Sequence, residues 1–154
     1  MIIRKTQALR PDDLDNLSEE YGPRDTLNYS DAGKLTQYGA YVVTLEPGSR
    51  SSNRHWHEKE DEFLLVLSGE LTVVENDGSH ILVAGDTACW PAGEPNAHQV
   101  VNRTTLSASY LIVGTRPKYD ICHYPDDAYV LHTEGETWRI VSDSGENLKG
   151  GQID

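Results

Sequence analysis

A chain of 154 residues, 37% hydrophobic and 8% aromatic, has the size of one domain and can bury a core without disulfides. Its 13 basic against 25 acidic residues leave a formal net charge of −12, which argues against nucleic acid as a partner, because that affinity comes largely from neutralising phosphates. No long apolar run is present, and Met1-Ile2-Ile3-Arg4-Lys5 passes at once into polar sequence, so neither a membrane partner nor a secretory leader is expected and the compartment is read as cytoplasmic.

Residues 1–34 read as an N-terminal arm, within which the acidic stretch 11–20 is either a short helix or a surface arm. From Leu35 short strand-like runs follow one another, separated by Gly, Pro or Asn-Asp-Gly, and strands are predicted over 37–46, 62–67, 71–75, 80–83, 87–90, 98–102 and 105–113. Asn76-Asp77-Gly78-Ser79 is the clearest hairpin turn, since Asp-Gly tolerates positive φ. Past Arg116 the chain turns polar, with one late strand over 138–141 and a loose end over 149–154. The pattern predicts an all-β barrel or sandwich: a barrel of residues 35–116 between the arm and a C-terminal extension, 117–154, that packs on it. Phe63-Leu64-Leu65-Val66-Leu67 is apolar on both faces, whereas a strand with one solvated face alternates. The second sheet, a terminal arm or another subunit must therefore cover its outer side, and a homodimer is expected. Cys89 and Cys122 form no Cys-x-x-Cys pattern and are expected to be free thiols.

The constellation that looks built for chemistry is His55, His57, Glu62 and His98. Side chains alternate along an extended strand, so His55 and His57 project to one side and Trp56 to the other, where it is expected to pack the barrel exterior. Glu62 opens the next strand, and the Gly- and Pro-punctuated segment 85–98 delivers His98. Three neutral imidazoles and one carboxylate suit a borderline divalent ion such as Fe, Mn, Ni, Co or Zn and are too nitrogen-rich for Ca or Mg.

These residues resemble the two motifs of the cupins. Gly48, His55, His57, Glu62 and Gly69 fill the first motif, and Gly85, Pro91, Gly93, His98 and Asn102 fill the second, with four residues rather than the usual two before the histidine. The stretches Ser52-Asn53-Arg54-His55-Trp56-His57, Gly114-Thr115-Arg116 and Tyr124-Pro125-Asp126 are similar to a group of short single-domain cupins sometimes labelled sugar-phosphate-isomerase-like. The resemblance implies a double-stranded β-helix, or jelly-roll, barrel holding one metal ion inside, with dimers common among such chains. It does not select a reaction, because the same barrel hosts isomerases, dioxygenases, lyases and non-catalytic binders.

Other candidates each have an ordinary reading beside the functional one. His80, His123 and His132 are expected to be surface or packing residues, and Glu58, Glu60 and Asp61 a solvated charge run. Asn53 shares the parity of the histidines and is a candidate contact behind the metal or with substrate. Arg50 and Arg54 could bind an anion or be spent in exposed salt bridges, and Tyr38, Tyr41 and Tyr110 could be pocket phenols or packing. Glycine and nucleophile motifs of competing enzyme classes are missing. The expected function is metal-dependent action on a small polar or anionic metabolite, by isomerase, lyase or dioxygenase chemistry. The alternative is a non-catalytic small-molecule-binding or sensor barrel.

Overall fold

The computed structural model describes residues 1–10 and 17–152. Among the described residues three short helices, α1 (Lys5–Ala8), α2 (Leu17–Tyr21) and α3 (Tyr29–Ala32), lie near the N-terminus. The first strands are β1 (Leu9–Arg10), β2 (Arg24–Asn28), β3 (Tyr38–Leu45), β4 (Trp56–His57) and β5 (Glu62–Ser68). Then come β6 (Glu70–Glu75), β7 (Gly78–Val83), β8 (Thr87–Trp90), β9 (Gln99–Val101) and β10 (Ala108–Thr115). A C-terminal meander completes the chain: β11 (Tyr119–Tyr124), β12 (Tyr129–Glu134), β13 (Thr137–Ser142) and β14 (Asn147–Gln152).

The fold is an all-β jelly-roll barrel. One wall is the sheet β1-β2-β3-β10-β5-β8; the other is formed by β7-β6-β9 and β14-β13-β12-β11-β4, which an isolated bridge between His55 and His98 joins. Apolar residues from both walls, among them Val43, Leu45, Leu64, Val66, Leu71, Val73, Leu82 and Val100, close the core between them. Alternation along β5 sends Leu64 and Val66 into that core, and the same parity carries Glu62 inward at the strand's beginning. Asn102, completely buried, donates its amide to the carbonyls of Leu45 and Leu106, each at 2.8 Å, and accepts from Thr104, so this motif position fastens a loop.

Several expectations change. Past Arg116 the chain forms four strands instead of one, because each finds a hydrogen-bonding neighbour in a continuous antiparallel ladder that starts from β4. The expected loose end is paired with β13 as far as Gln152, while 153–154 lie outside the described residues. Strands β1 and β2 of the N-terminal arm extend the six-stranded sheet through β3. Within 11–20 a helix begins at Leu17, and 11–16 lie outside the described residues.

Candidate metal centre

The side chains of His55, His57, Glu62 and His98 meet inside the barrel. His98 Nε2 lies 2.9 Å from Glu62 Oε2, His57 Nε2 3.8 Å and His55 Nε2 3.9 Å from the same oxygen. The opposite ring nitrogen of each imidazole has its own acceptor. His55 Nδ1 donates to the carbonyl of Asn53 at 3.0 Å, His57 Nδ1 to Asp120 Oδ2 at 2.6 Å, and His98 Nδ1 to the carbonyl of Asn96 at 3.2 Å. A nitrogen that donates on one side fixes the ring's orientation, so all three Nε2 atoms are aimed at one point beside Glu62. Trp90 stacks on the His98 ring at 3.7 Å and holds its plane. The four-residue loop before His98 is anchored through Asn96 Nδ2 to Glu75 Oε1 at 3.0 Å, which accommodates its extra length. His55, Glu62 and His98 offer ligand atoms within 4.8 Å of one another, and His57 shares Glu62 with them, so the donor set fits a divalent transition ion.

Burial and charge act differently on each group. Burial pushes the His55 imidazole down to about 4. It would do the same to His57, but the Asp120 hydrogen bond, with Cys122 and Glu62, raises that imidazole to about 11. Burial would raise the Glu62 carboxyl, yet the His98 hydrogen bond and the facing imidazoles bring it down to about 2. The cluster thus pairs a neutral His55 with an imidazolium at His57, among the carboxyl groups of Glu60, Glu62 and Asp120, and an ionised Glu62.

Strand β11 supplies residues that the motifs do not contain. Asp120, Cys122 and Tyr124 alternate onto one face: Asp120 holds His57, the buried Cys122 Sγ lies 3.8 Å from His57 Nε2, and the Tyr124 ring stacks on His55 at 5.5 Å. The sequence signal was that period-two spacing, hidden because the inward residues are an acid, a thiol and a phenol. Glu60 departs from the solvated reading given to its charge run. Its carboxylate lies 3.7 Å from His57 Nδ1, fills space that a Cβ at Gly114 would take, and is raised by burial to about 7. A cavity of about 850 Å³, whose walls include Tyr41, Arg116, Glu60 and Asp120 but none of the four clustered residues, reaches Glu60 from outside the cluster.

The remaining candidates separate cleanly. Trp56 turns away from the cluster and stacks on His123 at 4.1 Å, and His123 pairs with Glu58 at 2.9 Å. His80 is exposed beside Asp77, and His132 lies on β12 in the wall of an outer groove. Asn53 contributes its carbonyl to His55. Arg54 is taken by Asp126 at 2.8 Å and 2.9 Å, and Tyr41 accepts from Arg116 at 2.8 Å. Tyr38 is exposed, whereas Tyr110 is buried in the barrel, its hydroxyl held protonated by burial, with Arg24 opposing the rise and Glu62 adding to it. Both cysteines are free, Cys89 exposed and Cys122 buried.

A family model described as "Cupin domain" matches residues 41–114. Among solved structures, a sugar phosphate isomerase from a cupin superfamily of Silicibacter pomeroyi superposes with a TM-score of 0.80 at 39% identity, covering 94% of this chain and 90% of that one. A protein from Acidithiobacillus ferrooxidans, described as a "Putative sugar phosphate isomerase", gives 0.76 at 27% identity over 82% and 80% of the two chains. By sequence the chain is 26% identical over 112 residues to quercetin 2,3-dioxygenase of Bacillus subtilis (strain 168), covering 60% of this chain and 33% of that protein. It therefore spans about a third of that relative's length.

Proposed function

The chain belongs to the cupin superfamily, and from that premise we propose that it binds one divalent transition metal through His55, His57, Glu62 and His98 and isomerises a small polar or anionic metabolite. The observation that carries the metal half is the orientation of three imidazoles by three separate acceptors, which leaves every Nε2 aimed at the Glu62 carboxylate. A bound ion of this class would act as a Lewis acid toward substrate oxygens, or would activate dioxygen by electron transfer were it Fe(II). The chain's own residues do the rest. Asp120 keeps His57 in place, Trp90 keeps His98 in plane, and Tyr124, whose hydroxyl burial holds in its protonated form, can donate to a substrate oxygen beside His55. Isomerase chemistry is favoured over oxygenase chemistry because the likeness to the Silicibacter pomeroyi protein runs along nearly the whole chain, while the dioxygenase likeness covers a third of its relative. The Cys122 thiol group and the Tyr124 phenol facing the histidines favour turnover over passive binding.

Elemental analysis should find close to one transition-metal ion per chain, and sugar phosphates should interconvert under nitrogen as fast as in air. Turnover that consumes oxygen would move the protein to the dioxygenase class, and binding without any turnover would leave the sensor alternative.

A homodimer belongs to the same proposal. The outer face of β5 leaves Phe63 38% and Leu67 45% exposed. Among the described residues neither arm covers it, since β1 and β2 pair edgewise through β3 and the C-terminal strands belong to the opposite wall. A second copy is the remaining cover of those expected from sequence. Light scattering at micromolar concentration should give twice the chain mass, and Phe63→Glu should halve it; a monomeric wild type would end this part. No helix among the described residues is long and apolar enough to cross a membrane, and the cytoplasm remains the compartment proposed.

A further inference from the structure

Two of the arginines around the barrel are spent on carboxylates. Arg54 is bound by Asp126 and Arg116 by Asp31. Arg24 and Arg50 have no ion pair among the described residues. Both guanidiniums instead lie over one ring, that of Tyr21, at 5.7 Å and 5.3 Å from its centroid. Arg24 donates one Nη1–H to the carbonyl of Ser51 at 2.6 Å. Arg50 makes no side-chain hydrogen bond among the described residues, and its Nε is buried without an acceptor. The carboxylates of Glu20 and Asp127 act on the Tyr21 hydroxyl and pair with neither guanidinium. Two cations gathered on one phenol ring repel each other, and a buried donor without an acceptor is costly. An oxyanion accepting from both guanidiniums would offset both penalties at once.

The pair is tied to the histidines by two routes. Ser51, which accepts from Arg24, is followed by Ser52, whose Oγ lies 3.2 Å from His55 Nδ1. On the other side Tyr124 stacks on His55 at 5.5 Å and on Tyr129 at 4.7 Å, and Tyr21 acts electrostatically on both of those hydroxyls. We infer that Arg24 and Arg50 form an oxyanion subsite beside Tyr21, which holds the phosphate monoester of a small metabolite whose other oxygens face His55, His57, Glu62 and His98. Two guanidiniums match the double charge of a phosphate monoester, and their planar forks match its oxygens. This names the substrate class of the proposed isomerase, and it rests on reading the barrel as a small-metabolite site.

The test is calorimetric titration of the full chain with inorganic phosphate at low ionic strength, run in parallel on metal-loaded and chelator-treated protein. One phosphate per chain is expected in both. Arg50→Gln and Arg24→Gln should each weaken it by about tenfold or more, and Arg50→Lys should restore part of the loss. Arg103→Gln, which removes an exposed arginine that reaches only Ser79 Oγ at 3.4 Å, should change nothing. Circular dichroism checks each variant's fold, and if Arg50→Gln unfolds, Arg24→Gln decides. Phosphate bound in this way by protein that takes up no metal would leave the subsite standing and the metal proposal fallen. The subsite is overturned if the wild type binds no phosphate at millimolar concentration, if binding vanishes with the metal, or if Arg103→Gln costs as much as the substitutions at Arg24 and Arg50.

Discussion

Of the groups of side chains in this barrel that offer imidazole and carboxylate atoms within 4.8 Å of one another, two make a contrast: His55, Glu62 and His98 inside, with His57 on the same carboxylate, and Glu75, Asp77 and His80 at the β6–β7 hairpin. They differ in what surrounds them. Inside, the Glu62 and His98 side chains are 12% and 5% exposed, and each histidine's second nitrogen is already engaged. At the hairpin the Asp77 and His80 side chains are 73% and 45% exposed. Glu75 Oε1 is occupied by Trp90 Nε1 at 2.6 Å and Asn96 Nδ2 at 3.0 Å, and His80 Nε2 turns to Asp77 at 2.8 Å. Donor type and proximity are thus common to both. Only the inner group has its ligand atoms oriented in advance and screened from bulk water, so an ion there would not have to overcome side-chain disorder.

The largest expected effect pits one group against the other. His57→Ala should remove most of the bound metal measured by elemental analysis, whereas His80→Ala should keep the wild-type content. Equal losses would put the ion at the surface and erase the contrast. The next effect isolates prior orientation, because Asp120 stands behind His57, accepting from its Nδ1 and from the Lys59 backbone N–H. Asp120→Asn should weaken metal affinity by roughly 10–100-fold in chelator competition, and Asp77→Asn should leave it unchanged. An unchanged affinity in Asp120→Asn would show that His57 needs no support from β11.

Sequence reasoning found the inner group's four residues because they sit in two glycine-bounded motifs at strand spacing, and the jelly-roll followed from them. What it missed lies beyond those motifs. In β11 the inward positions are Asp120, Cys122 and Tyr124, so the alternation that marks a strand is not one of apolar with polar residues, and the segment reads as solvated chain. Glu60 was misread for a related reason: a charge run has no local sign of which member folds inward, and that choice is made by Gly114, far away in sequence, which leaves room for it. The outer face of β5 was legible from Phe63 and Leu67, whereas which element would lie over it depended on the sheet order.

The smallest effect concerns protons, and the hairpin again serves as the control. In the metal-free barrel His57 is held at about 11, burial opposing and Asp120 prevailing, while burial holds His55 near 4 and Glu62 stays ionised down to about 2. Between pH 6 and 9 His57 therefore carries a proton on the nitrogen that would face the metal. Uptake of the ion expels that proton, so the His57 contribution to affinity should rise by about tenfold per pH unit over this window. The sign for folding is opposite. A folded-state value raised above the ordinary 6.5 stabilises the metal-free protein fully below about pH 6.5, and this stabilisation is lost as pH climbs toward 11. The difference in melting temperature between metal-loaded and stripped protein should consequently widen from pH 6 to pH 9. His80→Ala should not alter the trend, because the exposed Asp77 that raises His80 is screened by solvent. Calorimetric scans at three pH values with and without metal measure it, and a gap that narrows as pH rises would mean that His57 holds no proton for the metal to displace.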